Sequence, residues 1–256
     1  MKKLLTILFI LFVAISLTAC SSKSDVTNTE SGKTYIIYSD NSFAPFEYFD
    51  TTTNSYIGVD MDIMAAIAKD QGIKYEMHNE GFDASMGAVQ SGQADAMIAG
   101  MTINDKRRET YDFSESYFDD GQIVAVLAGS GVSSLEDIPT GSHIAAKTST
   151  MGAEAAAAAA EQYGFVVDYY EDSPTMYQAV LNGTALCCFE DRSVMGWAIV
   201  SEGIGLETVG DVISPAGYGF AVKKGSNPEL IEMFDAGLKN IKASGQYDEI
   251  LAKYGY

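Results

Sequence analysis

Tyr35–Tyr38 (YIIY), Asp60–Gln71 (DMDIMAAIAKDQ), Tyr75–His78 (YEMH), Ala84–Gln90 (ASMGAVQ) and Ala94–Ala99 (ADAMIA) follow one another in that order. The first run is wholly apolar or aromatic, as a buried strand is. The second sets Ile63, Met64, Ile67 and Ala68 on one helical face, with Asp60 placed to cap it and Gly72 to stop it. The remaining three read as strand, helix and strand. Further along, Ile123–Leu127 and His143–Ala146 are strand candidates, and the alanine run Ala155–Ala160 lies in a helix over Gly152–Tyr163, alanine being the best helix former. Ser173-Pro174 supplies an N-cap and an N1 proline for a helix to Leu181. Leu186–Phe189 is another strand, and Asn227-Pro228-Glu229 opens the last long helix. Strands alternating with helices predict an α/β protein with parallel, doubly wound sheets. Ligands on such sheets sit at the carboxyl ends of strands, in the loops into helices. Those loops are Asp40–Phe46, Gly100–Arg107, Lys147–Gly152 and Glu190–Arg192.

The chain has 256 residues, 47% of them hydrophobic and 20% charged, which is ordinary globular composition and excludes wholesale disorder. Lys and Arg number 16 against 35 Asp and Glu, a net charge of −19. Such a chain repels phosphate backbones, so nucleic acid is not an expected partner. Three cysteines and two histidines occur in no CxxC or HxxxH spacing, so no metal site is expected. GxGxxG, GxxxxGK and GxSxG motifs are lacking, and no cofactor is expected. His78 and His143 both fall in strands and read as structural. Cys187-Cys188 invites a vicinal disulfide, but neighbouring strand residues face opposite sides, which favours two separately packed thiols.

The one long apolar run is N-terminal. Lys2 and Lys3 precede Leu4–Leu17, which as a helix spans about 21 Å, short of the ~30 Å hydrocarbon core, so residues 1–19 read as a signal peptide. Leu17-Thr18-Ala19-Cys20 resembles the lipobox of bacterial lipoproteins, in which the cysteine becomes the acylated first residue; the rival reading is an ordinary cleavage site beside a cysteine. Removing residues 1–19 takes two lysines and no acid, leaving −21. Residues 20–33 are polar apart from Val26 and Cys20 and read as a flexible tether. The expectation is an exported protein, lipid-anchored through Cys20 to the outer face of the bacterial cytoplasmic membrane.

The polar residues of the strand-end loops suit a zwitterion, which needs a fork of donors for its carboxylate and an anion with carbonyls for its ammonium. Arginine meets a carboxylate bidentately. Arg107 closes the loop Gly100-Met101-Thr102-Ile103-Asn104, where hydroxyl, amide and guanidinium converge. The alternative is that Lys106-Arg107-Arg108 is a solvated basic turn.

Ser39–Tyr48 (SDNSFAPFEY), Gly58–Asp62 (GVDMD), Gly100–Arg107 (GMTINDKR) and Asp112–Ser114 (DFS) resemble, in order and separation, signatures of the extracellular solute-binding proteins of polar amino acid ABC importers, family 3, of glutamine- and histidine-binding type. The likeness runs from Tyr35 to Tyr254. It implies a type II periplasmic-binding-protein fold, two doubly wound α/β lobes joined by two hinge strands and closing on one amino acid. Lobe 1 is then residues 34–116 and 219–256, lobe 2 is 122–213, and the hinges are 117–121 and 214–218. By the same resemblance, Arg107 and Thr102 clamp the carboxylate with the backbone N–H groups of Thr150 and Met151. Asp191 and the Gly100 carbonyl hold the ammonium, Phe43 and Phe82 sandwich the aliphatic stem, and Asp40 and Lys147 meet the side-chain end. Phe43 and Phe82 as plain core, and Asp191 with Glu190 as a solvated pair, are the structural alternatives.

The sequence departs from the family at three points. Gly183-Thr184-Ala185-Leu186-Cys187 stands where Gly-x-Ala-Asp-Ala is usual, which leaves Glu190 as the fallback for the ammonium. Ser116 replaces the usual proline, and Met151 a smaller residue. The implied partners are a free polar amino acid, the permease and ATPase subunits of an importer, and the membrane, with the protein itself a monomer and not an enzyme. The rivals are a cyclohexadienyl dehydratase-like enzyme with Glu190 as general acid, and a ligand-sensing domain. Asp40 and Lys147 together suit an amide, so glutamine leads over arginine, histidine, glutamate and cystine.

Overall fold

The computed structural model describes residues 32–256; the signal segment, Cys20 and most of the tether lie outside the described residues. The chain begins with β1 (Thr34–Ser39), β2 (Ser42–Phe43), β3 (Glu47–Asp50), β4 (Ser55–Ile57), α1 (Val59–Gln71), β5 (Lys74–Asn79) and α2 (Phe82–Ser91). It continues with β6 (Ala96–Met97), α3 (Asp105–Arg108), β7 (Tyr111–Phe113), β8 (Phe118–Leu127), β9 (His143–Lys147), α4 (Met151–Tyr163) and β10 (Val166–Tyr170). It ends with α5 (Ser173–Leu181), β11 (Cys187–Asp191), α6 (Arg192–Val200), β12 (Leu206–Tyr218), β13 (Ala221–Lys223), α7 (Pro228–Ser244) and α8 (Gln246–Lys253).

Two five-stranded sheets result, ordered β5-β1-β6-β13-β7 and β10-β9-β11-β8-β12. In each, three neighbouring strands are parallel, the fourth (β13 or β8) is antiparallel to them, and the fifth is antiparallel to the fourth. The sheets are thus mixed, where strand–helix alternation predicted wholly parallel ones. The reason is topological. β8 and β13 each follow a crossing from the other sheet with no helix between, so they enter from the opposite end. The crossings lie side by side, Phe118 opposite Tyr218, Asp119 opposite Gly217 and Asp120 opposite Ala216.

Local chemistry explains most element ends, with two corrections. Asp60 does not cap α1. Gly58 does, at φ 143°, where a Cβ would stand 2.0 Å from the Phe46 carbonyl oxygen, and Asp60 turns inward instead. Ser173 does not cap α5 either: Asp172 accepts from Thr175 N at 2.7 Å, and Ser173 is the first helical residue. Thr150 caps α4 by accepting from Ala153 N at 3.1 Å.

Apolar clusters cover both faces of each sheet. α1 and α7 supply Ile63, Ile67, Phe234 and Leu238 to one side of the first sheet, while Phe82, Val89 and Met97 lie on the other. In the second sheet Cys187 joins one cluster and Cys188 the other, both as free buried thiols, as strand alternation requires. Among the described residues no helix is long and apolar enough to cross a membrane.

Candidate functional site

The strand-end loops of the two sheets face one another, and buried charges meet between them. Asn104 caps α3 by accepting from Arg107 N at 2.7 Å, which fixes the short turn that carries Arg107. The buried guanidinium donates through Nη1 to the Thr102 carbonyl (2.8 Å) and through Nη2 to the Ser149 carbonyl of the opposite sheet's loop (3.0 Å). It lies 5.3 Å from the Phe82 ring centre. Desolvation moves the Arg107 pKa below its ordinary value, and the charge of Asp191, then of Glu154, offsets part of that. The first N–H groups of α4, from Met151 on, have no partners within their own helix and adjoin this loop.

Asp191 ends β11 and is buried. Its Oδ2 accepts from the Tyr218 hydroxyl at 2.6 Å and its Oδ1 from Gln122 Nε2; both donors sit on the paired β8 and β12. Burial, then the charges of Glu190 and Asp120, raise its pKa well above an ordinary aspartate. Glu190 faces elsewhere, as alternation along β11 demands. It accepts from the Tyr177 hydroxyl (2.8 Å) and from Asp191 N (2.9 Å), and burial raises its pKa too. Of the two acids, Asp191 is the one that acts on Arg107; Glu190 acts on Lys147.

Lys147 is fully buried and ion-paired with Asp40 across the two sheets. Its Nζ lies 4.9 Å from the Phe43 ring centre and 6.0 Å from that of Phe82. Burial pulls the lysine pKa down, but Asp40, Glu190 and Glu47 outweigh it and hold the group above its ordinary value. Gly100 has φ 52°, and a Cβ there would come within 2.5 Å of Phe43, so glycine is required. Its N–H donates to Asp60 Oδ2 at 2.8 Å. Grooves of about 390 Å³, bounded by Lys106, Arg107, Ser149 and Thr150, and about 250 Å³, bounded by Asn41, Ser42, Ser173 and Tyr177, open at the edges.

All ten residues singled out from the sequence therefore lie at the strand ends, in the loops that follow them or at the helix starts beyond. Sequence reasoning missed Tyr218, Gln122 and Asp120, which surround Asp191, as well as Ser149 and the buried acids Glu47 and Asp60. Asp60 carried a legible signal: it stands three and four residues before Ile63 and Met64, on the apolar stripe of α1.

Two mixed α/β sheets joined by paired crossing strands, with charged loops confronting each other, define a type II periplasmic-binding fold. The profile of the bacterial extracellular solute-binding proteins, family 3, matches residues 35–256, and the chain belongs to that family. It is 30% identical over 247 residues to a "Probable histidine-binding protein" of Neisseria gonorrhoeae, covering 94% of this chain and 91% of that one. It is 30% identical over 273 residues to the ABC transporter glutamine-binding protein GlnH of Bacillus subtilis, covering 99% and 97%. A solved ancestral arginine-binding protein bound to arginine superposes with a TM-score of 0.80 at 32% identity, covering 87% of this chain and 98% of that one.

Proposed function

We propose that the protein is the lipid-anchored substrate-binding component of an ABC importer, capturing a free polar amino acid, with glutamine favoured, and handing it to the permease without chemical change. The observation that carries this reading is a pair of buried opposite charges from different sheets, Arg107 and Asp191, each hydrogen-bonded yet short of a full ionic partner. Arg107, Thr102, the N–H of the cap residue Thr150 and that of Met151, the first residue of α4, take the carboxylate, the helix dipole favouring an anion there. Asp191 and the Gly100 carbonyl take the ammonium. Phe43 and Phe82 flank the stem, and Asp40 with Lys147 meets its end. An amide donates to Asp40 and accepts from Lys147 at once, whereas a charged side chain repels one of the two. The names of the relatives, which bind histidine, glutamine and arginine, support a polar amino acid as the class.

Residues 117–121 and 214–218 serve as hinges between lobe 1 (34–116, 219–256) and lobe 2 (122–213). A ligand touching both lobes stabilises closure by its differential affinity alone. A dissociation constant near 1 μM corresponds to about −8 kcal/mol. Thermal-shift screening of the twenty amino acids tests the reading, since stabilisation grows with ligand over Kd. A rise with glutamine above all others is expected; no rise with any amino acid overturns capture. The protein works as a monomer beside its permease and ATPase. Cys20→Ala is expected to release it from the membrane fraction.

A further inference from the structure

Glu47 and Asp60 are completely buried, and three of their four carboxylate oxygens have no ordinary hydrogen-bond donor: both of Glu47 and Oδ1 of Asp60. The fourth, Asp60 Oδ2, is well served, accepting from Gly100 N at 2.8 Å and from the Tyr117 hydroxyl at 2.7 Å. The backbone clasps the two acids together. Val59 N donates to the Pro45 carbonyl at 2.9 Å and Asp60 N to the Phe46 carbonyl at 3.0 Å, an approach that only Gly58 allows. The two carboxyl groups are within hydrogen-bonding reach of each other. A pair of buried carboxylates in contact is not tenable when both are ionised, and orphaned buried oxygens are costly.

We propose that Glu47 is a neutral carboxyl that donates its proton to Asp60 Oδ1, so that the pair carries one negative charge and Asp60 Oδ2 is left to fix Gly100 and Tyr117. One proton then accounts for the orphaned Asp60 oxygen and removes the like-charge contact. Glu47 is a positioning residue: it acts through Asp60 on the backbone of Gly100. That this backbone presents its carbonyl to an ammonium rests on the function proposed above; the shared proton does not. The surroundings agree. Burial, then Asp60 and Asp40, push the Glu47 pKa well above the glutamate range against the weaker pull of Lys147. Asp60, lifted to about 6 by burial, is held down by Tyr117, Gly100 and Glu47, and Tyr247 and Tyr117 both feel its charge.

Carboxyl ¹³C NMR of the ligand-free protein tests the proton whether or not any amino acid binds. One glutamate resonance, lost in Glu47→Gln, is expected to hold the protonated position at neutral pH and to move only on the alkaline side. The Gly100 amide resonance is expected to shift in the same range. A folded Glu47 raised in this way makes stability fall as pH rises above the unfolded glutamate value, so the melting temperature of wild type is expected to decline against that of Glu47→Gln. Asp60→Asn removes the like charge and offers a donor, so the Glu47 resonance is expected to titrate at clearly lower pH; this arm stands if Glu47→Gln does not fold. The proposal is overturned if every glutamate sits at the carboxylate position at neutral pH, or if the Glu47 resonance titrates unchanged in Asp60→Asn.

Discussion

The two sheets share one strand order, yet they bring different electrostatics to the space between them. On the first, the charged atoms nearest the loops have defined partners: Arg107 bonds the Thr102 carbonyl, and Asp60 Oδ2 bonds Gly100 N and Tyr117. On the second, acids crowd together. Glu190 adjoins Asp191, Asp120 lies beyond it, and the hydrogen bonds offered to Asp191 come from the neutral groups of Tyr218 and Gln122. One half is preorganised and the other is under charge repulsion that a cation would relieve. Preorganised donors bind without further ordering, whereas relief of repulsion couples binding to closure and to protons.

The comparison breaks first at Arg107. Arg107→Ala is expected to weaken amino acid binding about a thousandfold or more, since two or more charge-assisted hydrogen bonds at roughly 1.5–3 kcal/mol each disappear. Calorimetry giving near-native affinity would remove the clamp. Lys147→Met acts on the other side. It leaves Asp40 buried without its cation and is expected to cost about 3–5 kcal/mol of folding stability in denaturant titration. Lys147→Met with Asp40→Asn is expected to recover much of that loss. No recovery would mean that Lys147 matters for packing between Phe43 and Phe82 and not for charge.

What could be read from the sequence follows from how local each signal is. Helix ends marked by glycine, such as Gly72, and the alternation that separates Cys187 from Cys188 depend on neighbours in the chain. Arg107 stood out because cations are scarce in so acidic a chain. Asp60 was misread because an aspartate opening an apolar helical run looks like a cap, and only the approach of Phe46 at Gly58 shows otherwise. β8 and β13 run antiparallel because of where the chain re-enters a sheet, which no local pattern records. Ser149 contributes a carbonyl, which any residue type would supply. Tyr218 and Gln122 reach Asp191 from strands distant in sequence.

Asp191→Asn sharpens the contrast, because its two effects should carry opposite signs. Removing the charge relieves Glu190 and Asp120, so the ligand-free protein is expected to gain up to about 1 kcal/mol, read as a higher melting temperature. Loss of the ammonium's ionic partner is expected to weaken binding about 10- to 150-fold, the range for one charge-assisted contact at roughly 1.5–3 kcal/mol. If stability and affinity fall together, the acids are structural and the repulsion argument fails.

The smallest effect is also the most specific. Asp191 titrates above an ordinary aspartate in the ligand-free state because burial and its acid neighbours disfavour its charge. A raised folded pKa means that the contribution of Asp191 to the stability of the ligand-free protein is fully present below the unfolded aspartate value and is lost as pH climbs through the raised one. Ligand binding runs the other way. In the proposed binding mode an ammonium beside Asp191 favours the carboxylate, so binding in that window is expected to expel a proton, and log affinity to rise with pH by at most about one unit per pH unit before levelling. Calorimetry of one amino acid in buffers of differing ionisation enthalpy reads the released proton directly. A fraction of a proton is expected for wild type near the raised pKa and none for Asp191→Asn. Equal release from both proteins would move the titrating group to Glu190, and with it the ammonium site.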